Sequence, residues 1–412
     1  MPWSSGLSTN EKFDTALAVL IPVAILFVCY RFSGNFRWSD FRELLSLTSS
    51  TAKYGPFSLN RAYQSYSLYA KMSEDELLVI RSSYASLGRA HKRLGYNIGY
   101  PTKLDRLRSV TTMNKVVTDE IAKLAKVEYD LDGTVEFGAV SPAAGDLARV
   151  RESLKHFVRD WSMEGTPERA KIFKPIFEAL NTVEPDERSQ MSVLVPGCGL
   201  ARLAWEISEL GFNTTANELS HFMMLAFRFL ASPETTTTPE QHKIFPYAYW
   251  FSHQRSNNFL FRSVKFPDVV PRLSERFKLV ENDFLKLASL PAVKSSSSDG
   301  NAASCHVGYD YVVTLFFIDT SLNVFATVEQ IFALLKPGGA WINLGPLLWT
   351  GGGKTKVELS LEEVIAVAEA TGFIDDPSIE RQTVECEYTS DPLAMMRWIY
   401  RAEFWVMRKP KA

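Results

Sequence analysis

Between Met191 and Ser220 the chain reads MSVLVPGCGLARLAWEISELGFNTTANELS, and this segment constrains the fold more than any other. Val193, Leu194 and Val195 form a short apolar run that enters the turn Pro196-Gly197-Cys198-Gly199. Apolar residues then recur at Leu200, Leu203, Ala204, Ile207 and Leu210, the spacing of one helix face, until Gly211 stops the helix. A second short strand follows and ends in Glu218. A buried strand, a glycine turn, a helix and a strand ending in an acid make the nucleoside-binding half of an open α/β sheet. The glycines let the backbone approach a ligand, and the acid can accept both hydroxyls of a ribose.

Dinucleotide oxidoreductases and S-adenosylmethionine (SAM) methyltransferases share this pattern. A dinucleotide fingerprint places a third glycine where Arg202 stands, so that helix and strand pack closely under a pyrophosphate. A charged side chain at that point favours a ligand without a pyrophosphate, as SAM is. The chain also lacks the tyrosine–lysine motif of a nicotinamide site.

Elsewhere the pattern alternates strands and helices. FKLVENDF (Phe277 to Phe284) reads as a strand running to Asp283, and YDYVVTLFFIDT (Tyr309 to Thr320) as a buried strand running into Asp319. A helix from Leu322 to Leu335 ends at KPGG, and Ala340 to Leu348 is the next strand. SLEEVIAVAEATGF is a helix stopped by Gly372, and ERQTVECEYT and RWIYRAEFWVMRK close the sheet as a hairpin-like pair. The expected fold is a doubly wound, Rossmann-like α/β sheet with an antiparallel edge. Ser232 to Glu240 is a polar loop, Tyr247 to Pro271 an aromatic-rich, irregular stretch suited to a substrate lid, and Val293 to Ser304 a low-complexity insertion.

The expected organisation along the chain has three parts: a segment of residues 1–32, a helical region of residues 33–145, and the sheet domain of residues 146–412. The first part carries TALAVLIPVAILFVCY (Thr15 to Tyr30) without a charge, flanked by Glu11, Lys12 and Asp14 before and Arg31 and Arg37 after. With Phe13 and Phe32 at its margins it is just long enough to cross a bilayer of ~30 Å as a single helix over about residues 13–32. The basic residues on its C-terminal side place the rest of the chain in the cytosol. A cleaved signal peptide would need a basic start that the first ten residues lack. The middle part reads as a helical layer over the sheet, and LDGTVEFGAVSP (Leu131 to Pro142) as a linker.

Composition excludes several functions. A formal net charge of -2 over 412 residues gives no electrostatic footprint for nucleic acid. Cys29, Cys198, Cys305 and Cys386 form no CxxC pair, and the six histidines form no HExxH, so no metal site is expected.

The motifs VPGCGLARLAWEI, NELS, NDF, FFIDT, LKPGGAWINLGPLL and YTSDPLAMMRWIY together resemble the carnosine N-methyltransferase family, over Ala148 to Lys409. In that family a glutamine and an arginine of an amphipathic helix contact SAM. The matching helix ARVRESLKHFVRDWS places apolar Val150, Leu154, Phe157, Val158 and Trp161 on one face and supplies His156 in the glutamine place and Arg159. The resemblance further implies cofactor contacts at Gly197, at Glu218 (ribose), at Asp283 and Phe284 (adenine) and at Leu315, where the family has a cysteine. For the dipeptide it implies Asp319, Tyr388 and Tyr400. The family's histidine just after LGPLL is here Thr350, followed by Gly351, Gly352 and Gly353, so an imidazole contact to the substrate is lost.

The sequence reading is therefore a SAM-dependent N-methyltransferase of a small histidine-containing dipeptide or similar short peptide, with Asp319 orienting the acceptor nitrogen and stabilising the charge that develops on it. Its simpler role would be a helix N-cap. Alternatives are a membrane-tethered tailoring N-methyltransferase of a peptide-derived metabolite, an NAD(P)-dependent oxidoreductase, and a non-catalytic binding protein that keeps the SAM fold.

Overall fold

The computed structural model describes residues 55–131, 145–288, 290, 308–351 and 354–411. The segment expected to span a membrane, the linker beyond Leu131, the Val293 to Ser304 insertion, and Gly352 and Gly353 lie outside the described residues. Among the described residues no helix is long and apolar enough to cross a membrane.

In chain order the main helices are α1 (Leu59–Ser67), α2 (Tyr69–Ala85), α3 (Arg89–Asn97), α4 (Tyr100–Glu128), α5 (Asp146–Trp161), α6 (Thr166–Leu180), α7 (Arg202–Glu209), α8 (His221–Ala231), α9 (Val324–Leu334) and α10 (Leu361–Thr371). The strands are β1 (Ser192–Pro196), β2 (Asn213–Glu218), β3 (His242–Ile244), β4 (Val264–Phe266), β5 (Phe277–Glu281), β6 (Tyr309–Leu315), β7 (Leu335–Gly345), β8 (Ile374–Asp375), β9 (Gln382–Cys386) and β10 (Tyr400–Arg408). An eight-stranded sheet runs β5-β2-β1-β6-β7-β10-β8, with β9 also paired to β10. The pairs among β5, β2, β1, β6 and β7 are parallel, while β10 runs antiparallel to β7, β8 and β9. This is the expected Rossmann-like sheet with an antiparallel edge. The strand order reverses between β1 and β6, so their C-terminal ends open the crevice in which such sheets bind ligands.

The apolar face read for α5 is fully used: Val150, Leu154, Phe157 and Trp161 are sealed from solvent, and Phe157 stacks on Phe266 at 4.4 Å between ring centroids. Each such side chain contributes about 1.5–3 kcal/mol when buried. The N-terminal helices share this core, since Ala62, Tyr66, Val117 and Ile121 pack in one cluster with Val193 and Ile342. Buried polar contacts fix the layer. Arg61 pairs with Asp146 at 2.9 Å, the Tyr66 hydroxyl donates to the Phe222 carbonyl at 2.7 Å, and Asn114 bonds both the N–H and the C=O of Phe245.

Local signals set the element ends. Ser360 and Glu363 form a capping box at the start of α10, and Gly372 ends that helix at φ +112, where any side chain would be strained. Two departures from the sequence expectation bear on the site. Strand β6 stops at Leu315, because Phe316 turns left-handed (φ +51), and Asp319 lies in the 3-10 turn Ile318–Thr320 rather than on the strand. The aromatic stretch read as irregular contributes an ordered strand, β4, which pairs with β3 just before the stretch.

Candidate functional site

The C-terminal ends of β1 and β2 build the first wall. Gly197 and Gly199 both take left-handed φ values, of +61 and +57. A Cβ on Gly197 would stand 2.5 Å from the Phe317 ring, so only glycine fits there. Glu218 closes the wall. One carboxylate oxygen accepts the Gly199 N–H at 2.9 Å, and the other accepts the N–H groups of Leu219 and Ser220, each at 2.9 Å. Burial pushes the Glu218 carboxyl above its ordinary value, and these backbone donors work against that push. The acid is thus fixed against the glycine turn, in place to take two vicinal hydroxyls.

Helix α5 supplies the second wall. His156 and Arg159 lie on the side read as polar, yet both are buried and partnered rather than solvated. Nδ1 of His156 faces the Glu152 carbonyl at 3.0 Å, so that nitrogen carries the proton and Nε2 accepts from the Tyr388 hydroxyl at 3.0 Å. Arg159 donates through Nε to Glu168 at 3.0 Å, approaches Asp160 at 3.3 Å, and lies 4.6 Å from the centre of the Tyr388 ring. Burial opposes the charge on Arg159, but the neighbouring Asp160, Tyr388 and Glu168 outweigh it and hold the guanidinium firmly protonated. Burial also drives the Tyr388 hydroxyl far above the ordinary tyrosine value, so it acts as a neutral donor. His156, Arg159, Gly197, Leu315 and Tyr388 line one cavity of about 50 Å³.

The third wall follows β5 and β6. Asp283 caps the 3-10 turn Phe284–Lys286, its carboxylate accepting the Leu285 N–H at 3.1 Å. The buried Phe284 ring meets Phe317 edge-on at 5.3 Å, which links this pair to Gly197 through the Phe317 ring. Phe316, next along, touches Tyr388 at 4.9 Å and Tyr400 at 5.8 Å between centroids. The two rings of the FFIDT motif therefore divide the site, Phe317 lying against Gly197 and Phe284, and Phe316 lying between the tyrosines.

Asp319 is buried beside these rings. The Leu348 N–H donates to its Oδ2 at 3.0 Å, and the Thr350 N–H donates to its backbone carbonyl at 3.1 Å. Burial raises its carboxyl from 3.8 to about 6, against the Leu348 donor. Tyr400 senses the same carboxylate, since burial first and the Asp319 charge second raise its hydroxyl. The N-cap role is filled elsewhere, because α9 starts after Asn323. Thr350 is exposed, with its hydroxyl 3.5 Å from the Asp319 carbonyl, and its backbone does the anchoring.

All the site residues read from the sequence thus gather at the carboxyl ends of the parallel strands, Thr350 at the rim. The reading missed Phe316 and Phe317 as separate walls and missed Glu168, which joins Arg159 to the Tyr388 loop. Arg202, whose charge argued against a pyrophosphate, is occupied by Asp268 at 2.7 Å and Glu206 at 2.5 Å. Among the described residues no cluster of His, Cys, Asp and Glu could hold a metal ion.

Comparison with known proteins gives the chain's relatives. The family model described as carnosine N-methyltransferase matches residues 137–411. The chain is 34% identical over 327 residues to the carnosine N-methyltransferase of Rattus norvegicus, covering 76% of each chain. It is 30% identical over 378 residues to that of Schizosaccharomyces pombe, covering 86% of this chain and 96% of the other.

Proposed function

The chain belongs to the carnosine N-methyltransferase family, and on that premise we propose how its site performs SAM-dependent N-methylation of a carnosine-like dipeptide. Membership in this family decides against the oxidoreductase reading and against a scaffold without turnover.

The residues fit the methyl donor. Glu218 at the glycine turn suits the ribose hydroxyls, Asp283 and Phe284 suit the adenine, and Arg159 and His156 beside Gly197 and Leu315 suit the amino-acid end. When bound, SAM supplies an electrophilic methyl group on a sulfonium. The protein then has to align a neutral nitrogen lone pair with that methyl, a positioning task that contributes several kcal/mol to the rate.

Asp319 carries the proposal. It is a buried carboxylate at the crevice, steered by the Leu348 N–H and flanked by Tyr400. An imidazole that donates its ring N–H to Asp319 presents its other nitrogen, with a free lone pair, to the methyl group. As that nitrogen becomes cationic, the carboxylate stabilises the ring and holds the proton that the product must shed. Tyr388 and Tyr400 wall the dipeptide between them through Phe316.

Thr350 favours a second reading of the acceptor. Without an imidazole at that rim position, the chain suits a peptide amine as well as a histidyl ring. Incubation with methyl-labelled SAM and a panel of carnosine, other short peptides and simple amines separates the two. Label on an imidazole nitrogen of carnosine supports the first reading. Transfer only to an amine overturns it.

We also propose, from the sequence alone, that Thr15 to Tyr30 anchors the chain with the enzyme in the cytosol. Alkaline carbonate extraction of a tagged full-length protein tests this, and release into the supernatant would refute it.

A further inference from the structure

We propose that Glu168 is a positioning residue that locks the cofactor half of the site to the dipeptide half. The inference rests on the reading above, in which Arg159 faces SAM and Tyr388 faces the dipeptide. Glu168 lies buried in the first turn of α6. Its Oε1 accepts two hydrogen bonds at once, from Nε of Arg159 at 3.0 Å and from the backbone N–H of Thr389 at 3.1 Å. One oxygen atom thus ties a side chain of helix α5 to the loop that carries Tyr388.

The loop needs such a tie. Thr389 has φ +49, a left-handed conformation that a β-branched residue rarely adopts. Strained backbone of this kind persists only where surrounding contacts over-determine it, and it concentrates at functional sites. Two residues on, Asp391 accepts from Arg262 at 2.7 Å, and the same guanidinium nitrogen donates to Glu164 at 2.7 Å, in the turn before α6. The loop is therefore pinned at two points to the start of one helix, directly at Glu168 and through Arg262 at Glu164. Beside these pins, Tyr388 is held with its hydroxyl on His156 and its ring next to Arg159.

A first-turn acid also complements the helix dipole, and that purely structural role would change stability alone. The positioning role makes a different prediction. In the full chain, Glu168→Gln, Thr389→Gly and the double variant are compared by calorimetry for SAM, and for carnosine in the presence of S-adenosylhomocysteine. Glu168→Gln weakens both affinities about tenfold, the loss of one charge-assisted contact on each side. Glycine at 389 takes the left-handed conformation without strain, so the double variant recovers carnosine affinity while SAM affinity stays low.

Unchanged affinities in Glu168→Gln, with only the melting temperature moved, would overturn the proposal, as would failure of Thr389→Gly to restore carnosine affinity. Should Glu168→Gln not fold, Glu168→Asp keeps the charge but cannot span both donors, and the same split is read from it. Native protein that binds SAM but not carnosine would instead contradict the function proposed above. The SAM arm then decides on Glu168 by itself.

Discussion

The Tyr388 hydroxyl donates to Nε2 of His156 across 3.0 Å, joining a residue assigned to the dipeptide with one assigned to the cofactor. Both side chains line the small cavity that also reaches Arg159, Gly197 and Leu315. His156 stands where the family has a glutamine. With its proton on Nδ1, facing the Glu152 carbonyl, the ring leaves Nε2 as the acceptor for the tyrosine.

Tyr388→Phe removes this bond and nothing else from the ring contacts. Its expected stability cost is about 1 kcal/mol, the ordinary worth of a neutral hydrogen bond. Carnosine KM rises more than the SAM Kd, because the ring beside Arg159 is kept. Steady-state kinetics together with calorimetric titration of SAM checks this split, and equal effects on both would contradict it.

Glu218→Ala takes the acceptor from three backbone N–H groups, of Gly199, Leu219 and Ser220. SAM affinity is expected to fall at least tenfold. The fold survives with a loss of about 1–3 kcal/mol, because water can reach part of the crevice and satisfy the freed donors. Circular dichroism and calorimetry on the same sample test both halves, and unchanged SAM affinity removes Glu218 from the site.

Gly197→Ala should weaken SAM binding and destabilise the protein by about 1–3 kcal/mol, since it strains a left-handed residue and drives a Cβ into Phe317. Adding Phe317→Ala relieves the collision but not the backbone strain. Measured against Phe317→Ala alone, the Gly197→Ala step therefore costs less in thermal unfolding than it does in the native chain, and an unchanged cost would place the clash elsewhere.

Asp319 ties stability to pH. Its carboxyl titrates at about 6 in the folded protein against 3.8 as an ordinary side chain, so the folded state binds the proton more tightly. Asp319 therefore favours folding most below pH 3.8, and that advantage is lost as pH rises through about 6. At pH 8 the buried charge costs at most about 3 kcal/mol. Asp319→Asn should therefore match or exceed the native stability at pH 8, with the difference vanishing toward pH 4. Denaturant melts at the two pH values decide it, and a variant less stable at pH 8 would refute the cause assigned.

Strands β1, β6 and β7 were legible because each contains an apolar run bounded by a turn signal, while the polar β2 was legible from its place after the glycine turn and helix α7 and from its terminal Glu218. What escaped depends on long-range contact. Phe316 reads as one more strand residue, and only the approach of its backbone to Gly345 (3.2 Å from a Cβ built there) marks where β6 must turn. Glu168 reads as an ordinary first-turn acid, since its partner Thr389 is 221 residues away. The burial of His156 and Arg159 was not legible, because the Tyr388 loop that covers them is equally distant in the chain. The ribbon of β3 and β4 was hidden by the brevity of its strands, with three residues in each.

The first experiment to run sets native protein beside Asp319→Asn, each given methyl-labelled SAM and carnosine at pH 8, with SAM binding followed in parallel by calorimetry. If Asp319 orients the acceptor, the native chain labels carnosine, and the variant keeps its SAM affinity but transfers nothing. Transfer by Asp319→Asn at the native rate would contradict that role, and so would a native chain that binds SAM and leaves carnosine unlabelled.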